Sequence, residues 1–316
     1  MEYRSIIEMK KVKQFLVIMM AVLFAANLTA CANKKTSSSS NEPKSLNVQF
    51  VPSSAANKLE ARAKPMEKLL SKRLGIPVHV SMSTDYSGLV EAMKSKKVDV
   101  GFLPSDAYIM AHKQKAADLL LQAVRYGIKQ PGGVTTKKLV NFYRGEILVK
   151  KDSAIKTWQD LKGKSISVQD ITSDSGYVFP VAELKQKGLD VTKSCKVVSV
   201  KGADQGVLNV LNGDTDAAFV FEDARNIVKH DEPDIMTKVV PIYFTKPIPN
   251  DTISVISSMP KNFRKKLAKA FIAIGKSKAG KKIIESVYSH EGYVHAKDSD
   301  YDTIRQYNKI MDTIKK

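Results

Sequence analysis

Apolar residues recur along this chain in two rhythms that take turns. Leu46 to Val51 reads as a strand. From Asn57 to Leu74 the apolar positions are Leu59, Ala63, Met66, Leu70 and Leu74, at steps of 4, 3, 4 and 4, which predicts one amphipathic helix stopped by Gly75. Val78, Val80 and Met82 alternate as a second strand, and Tyr86 to Lys96 is a helix through Leu89, Val90 and Met93. Val98 to Leu103 is a short apolar strand that turns at Pro104-Ser105-Asp106. Strand and helix alternating in this way predict a mainly parallel sheet covered by helices.

Leu119 to Tyr126 and a Gly/Pro/Thr/Lys stretch (Lys129 to Lys138) lead into a strand at Phe142 to Val149. A second α/β set follows, with strands at Ser165 to Val168, Lys196 to Val200 and Ala217 to Phe221. Its helices start near Gly176 and run from Gln205 to Leu211, the latter ended by Gly213. Asp251 to Ser257 is extended, and a helix with Phe263, Leu267, Phe271 and Ile274 opens the last part. The expected architecture is α/β and two-lobed, with lobe 1 at 45–141 plus 258–316 and lobe 2 at 142–257. The strands around Phe142–Val149 and Asp251–Ser257 are the expected hinge. Ligands in open α/β sheets bind beyond the carboxyl ends of the strands, which places a ligand cleft between the lobes.

One loop changes this picture from architecture to chemistry. After the strand Ser165–Val168 comes Thr172-Ser173-Asp174-Ser175-Gly176, which opens a helix through Val181 and Leu184. First-turn amides have no intrahelical partner and the dipole end is positive, so hydroxyls at that place complete an anion site. N-capping by Ser173 or Ser175 is the plainer reading of the same residues.

Lys10, Lys11 and Lys13 precede an apolar run from Phe15 to Ala26, followed by Leu28-Thr29-Ala30-Cys31. This is the layout of a secretory signal over 1–30. The run is too short to span a bilayer comfortably, which takes roughly 20 residues. A cysteine after Leu-Thr-Ala resembles the bacterial lipobox, which implies lipidation of Cys31 and a membrane-anchored protein on the extracytoplasmic side. Residues 31–44 are a Ser-rich tether. Cys195 is the only later cysteine, so no disulfide forms within the folded part. The formal charge is +19, and +17 from Cys31 onward. The lysines are dispersed along the sequence with no basic block interleaved with aromatics, which reads as a solvated Lys-rich surface, and export argues against nucleic acid.

With these residues in hand, the chain resembles the phosphate/phosphite/phosphonate-type substrate-binding proteins of ABC transporters, a type II periplasmic-binding fold. Asp170 to Pro180 resembles the family pattern D-P-x-S-T-S-G-x-x-x-P, matched at Ser173, Ser175, Gly176 and Pro180. Asp85-Tyr86-Ser87-Gly88 and Pro104-Ser105-Asp106-Ala107-Tyr108 resemble its two tyrosine-bearing segments, and Ile248-Pro249-Asn250-Asp251 is also family-like. The resemblance implies that Ser173, Ser175 and the amides near Gly176 bind phosphonate oxygens and that Tyr86 and Tyr108 line the cleft. It also implies that Glu222 and Asp251 hold a ligand ammonium, as in members that take 2-aminoethylphosphonate. A zwitterion needs donors at one end and carboxylates at the other. Asp174 stands where the family has threonine, and the family histidine is replaced around Ala203-Asp204. Both departures leave an amine-bearing or cationic solute open as ligand.

The resemblance further implies a small-molecule anion or zwitterion as ligand, an ABC permease as partner, no cofactor and no chemistry on the ligand. A sensor or adhesin lipoprotein of the same fold and an exported enzyme are the alternatives from other classes. His290-Glu291-Gly292-Tyr293-Val294-His295 invites a metal reading. Its histidines are five apart, however, with a glycine between, where one helical face needs four.

Overall fold

The structure, a computed structural model, describes residues 42–131 and 133–314. The expected signal segment, Cys31 and the tether up to residue 41 lie outside the described residues. In chain order the elements are β1 (Leu46–Phe50), α1 (Ala56–Ala63), α2 (Met66–Leu74), β2 (Val78–Met82), α3 (Tyr86–Lys94), β3 (Val100–Leu103), α4 (Ser105–Lys113), β4 (Ala117–Lys129), β5 (Val134–Val140), β6 (Phe142–Tyr143) and β7 (Gly145–Lys150). There follow β8 (Ser165–Val168), α5 (Phe179–Gln186), β9 (Lys196–Ser199), α6 (Ala203–Asn212), β10 (Ala217–Phe221), β11 (Val239–Phe244), β12 (Ile248–Pro249), β13 (Thr252–Ile256), α7 (Lys261–Lys276), α8 (Lys278–Tyr288), β14 (Gly292–Val294) and α9 (Asp302–Ile314).

Two sheets result. The first runs β14-β4-β13-β3-β1-β2, with β5 hydrogen-bonded to β4. Its β1 is parallel to both β2 and β3, while β13 is antiparallel to β3 and β4. The second runs β11-β7-β10-β8-β9, parallel across β10-β8-β9 and antiparallel at β7. The α/β type II binding fold expected from the sequence is the one observed.

Side-chain alternation sets the layers. Leu46, Val48 and Phe50 of β1 and Val100 and Phe102 of β3 face α1, α2, α7 and α8 in one apolar cluster. The opposite face of the first sheet meets α3 and α4, and Gly101 lets Met93 of α3 pack directly on β3, since a Cβ would lie 2.6 Å from the Met93 sulfur and displace it. The single helix expected over 57–74 is two, because Pro65 lacks the amide that would continue the ladder. The Gly/Pro/Thr/Lys stretch is not a plain connection. It forms the turn and second strand of a β4–β5 hairpin that extends beyond the first sheet.

The lobe boundaries shift accordingly. Asp251–Ser257, expected in the second lobe as half of the hinge, contributes β13 to the middle of the first sheet. The two chain crossings meet instead as the pair β6–β12, with Tyr143 opposite Ile248. The C-terminal helix α9, expected with the first lobe, straps across both. Tyr307 stacks on Phe179 of α5 at 4.0 Å, and its hydroxyl donates to Glu183 Oε1 at 2.8 Å. A second apolar cluster is consequently shared by the lobes, running from Leu89 and Tyr108 through Tyr301 and Ile304 to Phe179 and Leu184.

Candidate functional site

The loop singled out in the sequence is built by local hydrogen bonds. The Asp170 carboxylate accepts from the Thr172 amide and hydroxyl, and the Ser173 amide donates to the Asp170 carbonyl at 2.8 Å. The chain then enters a π-helical turn, Asp174–Val178, that runs on into α5. Ser173 caps it, its hydroxyl accepting from the Gly176 amide at 3.3 Å. Gly176 is required there, because a Cβ would come within 2.8 Å of both Gln169 Cβ and Ser173 Oγ.

Between the lobes lies a cavity of about 290 Å³, small-molecule in scale. Ser173 and Ser175 line it from the second lobe, Tyr86 from the first, and Asn250 and Asp251 from the second crossing. Tyr86 sits at the start of α3, whose cap is the Asp85 carboxylate accepting from the Gly88 amide at 2.6 Å. Burial and then the Asp251 charge push the Tyr86 phenol upward, so it remains a hydroxyl donor. Asp251 Oδ2 is 3.4 Å from Nε2 of buried His290, which gives the histidine of the discarded metal motif a neighbour in the cavity wall. Among the described residues no cluster of His, Cys, Asp or Glu could hold a metal ion.

The remaining expected site residues are elsewhere. Tyr108 is fully buried away from the cavity. Its hydroxyl donates to Asp298 Oδ1 at 2.6 Å and its ring packs on Tyr301. Asp174 is 1% exposed and outside the cavity wall, accepting from the Asp106 amide at 3.0 Å in the first turn of α4. Burial, then the charges of Asp106 and Asp251, hold its carboxyl well above the ordinary range. The acid that departs from the family pattern is thus turned into a clasp between the lobes. Gly176 lies beneath Gln169, with its amide turned to Ser173. Glu222 also faces away, accepting from the Arg144 amide at 3.1 Å and from Gln130 Nε2. Burial raises it to about 7, Arg125 opposing and Asp223 adding to the shift.

The neighbour of Glu222 takes its place in the wall. Asp223 lines the cavity and pairs with Arg125 of β4 at 2.5 Å. Tyr143 and Gln169 complete this side. Sequence reasoning did not find Arg125, although an arginine flanked by Val124 and Tyr126 within a strand carries a signal, since a buried charge requires a partner. Arg125 Nε, Asp223 Oδ1 and Asn250 Nδ2 are buried without a protein partner among the described residues. Where the family histidine was expected, the start of α6 clasps the first lobe instead. The Ala203 amide donates to Ser53 O at 3.0 Å and the Asp204 carboxylate accepts from the Ala55 amide at 3.2 Å.

Two lobes joined by two crossings around a polar cavity are the architecture of the periplasmic-binding class. More narrowly, the chain belongs to the family described as "ABC transporter, phosphonate, periplasmic substrate-binding protein", whose model matches residues 48–301. The family consists of transporter binding proteins, not enzymes. Among curated proteins it is similar to the "Phosphate-import protein PhnD" of Mycolicibacterium smegmatis, 27% identical over 207 residues, 63% of this chain and 62% of that protein. The match thus spans less than two thirds of that relative's length. The "Phosphonates-binding periplasmic protein" of Escherichia coli is 23% identical over 248 residues, 77% of this chain and 70% of that one. Among solved structures, a binding-protein component of an ABC phosphonate transporter from Pseudomonas aeruginosa superposes with TM-score 0.72 at 19% identity, covering 85% of this chain and 86% of that chain. PhnD1 from Prochlorococcus marinus, in complex with methylphosphonate, gives 0.73 at 17% identity, covering 86% and 99%. At such identities the two structures speak for the fold alone. Among the described residues no helix is long and apolar enough to cross a membrane.

Proposed function

We propose that this chain is the extracytoplasmic solute-binding lipoprotein of an ABC importer, anchored through Cys31, which captures a phosphonate-type small molecule and passes it to a permease. The observation that carries the reading is one cavity lined both by the Ser173 and Ser175 hydroxyls at a helical start and by the Asp251 carboxylate. The hydroxyls, with Tyr86, supply donors for a tetrahedral oxyanion, and Asp251 supplies the acceptor for a ligand ammonium, as in 2-aminoethylphosphonate. Asp223 contributes less to that end, since Arg125 already neutralises it. The names of the relatives, which import phosphate or bind phosphonates, favour the same ligand class. Residues 142–143 and 248–249 act as the hinge in this reading, and closure proceeds only as far as the ligand prefers the closed state.

A thermal-shift panel of residues 32–316 against 2-aminoethylphosphonate, methylphosphonate, phosphite, phosphate, taurine and cationic solutes tests it. A ligand at 100 times its dissociation constant stabilises by about 2.7 kcal/mol, which shifts melting by several degrees. A shift with 2-aminoethylphosphonate that disappears in the Ser173→Ala/Ser175→Ala double variant is expected. Shifts from cationic solutes alone, or none from any phosphorus compound, would sink the ligand class.

A further inference from the structure

The lysines that look dispersed in the sequence are gathered by the fold. Segments 56–74 and 261–288, which form α1, α2, α7 and α8, carry fifteen lysines and arginines against three acids, Glu60, Glu67 and Glu285. These four helices lie on one face of the first sheet. The helices on the opposite face, α3 and α4, balance Glu91 and Asp106 against Lys94 and Lys113. In the second lobe, α5 and α6 balance Glu183 and Asp204 against Lys185. Most of the excess charge of the folded part therefore sits on a single helical layer. Lys64, Arg264 and Lys281 have partners in Glu67, Asp118 and Glu291, whereas Lys68, Lys72, Arg73, Lys265 and Lys269 are exposed. Between α2 and α7 runs an open groove floored by Leu69, Ala270 and Ala273 and edged by Lys72, Arg73 and Lys269.

We propose that this face is a docking surface for an anionic phospholipid bilayer. Two observations select that occupant. The first is complementarity: exposed ammonium and guanidinium groups around an apolar-floored groove suit phosphate headgroups, with the lysine stems lying along apolar surface. The second is where the chain enters the fold. β1 starts at Leu46, whose amide donates to Pro77 O just beyond the end of α2, so the preceding residues join the domain beside the turn that carries Lys72 and Arg73. From Cys31 to Pro43 the chain spans at most about 40 Å when fully extended, which keeps this face within reach of whatever surface Cys31 is fixed to. The tether argument rests on Cys31 being the anchor; the charge argument does not, and neither depends on the ligand.

The test is co-sedimentation of unlipidated residues 32–316 with phosphatidylcholine vesicles containing about 30% phosphatidylglycerol, compared with phosphatidylcholine alone; surface attraction of this kind acts within a Debye length, about 8 Å at physiological salt. Binding only to the anionic vesicles at low salt, lost on raising salt, is expected. The variant Lys68→Gln, Lys72→Gln, Lys265→Gln, Lys269→Gln should lower the partition coefficient at least about tenfold. Lys193→Gln, Lys196→Gln, Lys201→Gln, Lys229→Gln on the second lobe removes the same charge and should change it less than about twofold. Equal losses from both variants would show that net charge alone acts, and would overturn the proposal. Absence of vesicle binding at low salt would do the same, as would binding to soluble polyphosphate without binding to vesicles. Because the protein used carries no lipid, failure of the anchor reading and failure of the basic face remain separate results.

Discussion

Glu222 and Asp223 are adjacent carboxylates with opposite fates, and the difference has a measurable sign. Asp223 is matched by a guanidinium. Glu222 is buried against an amide of the backbone and the side chain of Gln130, and burial lifts it to about 7. An acid raised on folding is no burden below its unfolded value of about 4.5 and becomes one as pH rises through 7. Replacing it by glutamine should therefore stabilise the protein at pH 8 by about 1–3 kcal/mol and have little effect near pH 4. Gln130 Oε1, which has no partner among the described residues, can accept from the new amide after a flip. Thermal melts of Glu222→Gln across that pH range check this, and an advantage greater in acid than in base would refute it. Ser173 has two duties, cap and proposed ligand donor. Ser173→Ala should thus cost about 0.5–2 kcal/mol of stability in the absence of ligand, whereas Ser175→Ala, which loses no cap, should affect ligand binding alone.

The elements that meet across the cavity do so with little clearance. At Gly202, the cap of α6, a Cβ would lie 2.7 Å from Ser54 Cα in the first lobe. Gly202→Ala should hold the lobes apart at this point and weaken the ligand found by the panel at least about tenfold, ~1.4 kcal/mol, while ligand-free melting stays nearly unchanged. Calorimetric titration showing undiminished affinity would mean that closure does not need this contact. How far such elements are legible in sequence depends on whether their causes are local. β10 coincides with the expected strand, and Gly213 ends α6 in the left-handed conformation, because alternation and a C-terminal glycine act within a few residues. Ser173, Ser175 and Tyr86 were legible for the same reason, each belonging to a short motif. The β4–β5 hairpin was not, since its polar strand carries no apolar period. Nor was the choice of Asp223 over Glu222, which is settled by Arg125, 98 positions away in the chain. Pro65 marks the break in the sequence, but the apolar spacing that continues through it predicts one helix where the structure has two.

On the scale of the molecule, two sheets and two lobes share one apolar cluster, tied by α9. Two-lobed architecture alone would permit each lobe to melt separately. The shared cluster argues otherwise: calorimetry of residues 32–316 without ligand should give one transition whose van't Hoff and calorimetric enthalpies agree. Two resolved peaks would show that α9 does not couple the lobes. The strap has a further consequence for the heat of ligand capture. Apolar surface that is newly removed from water is what lowers heat capacity on binding, and the apolar surface joining these lobes is already buried around Tyr301, Ile304 and Tyr307. The other contacts between the lobes are mostly polar: the Asp174 clasp, the backbone at Ser53 and Ala203, and the Arg125–Asp223 pair. If the lobes turn about the strap, capture should have a nearly temperature-independent enthalpy, so that the logarithm of its affinity falls on a straight line against inverse temperature.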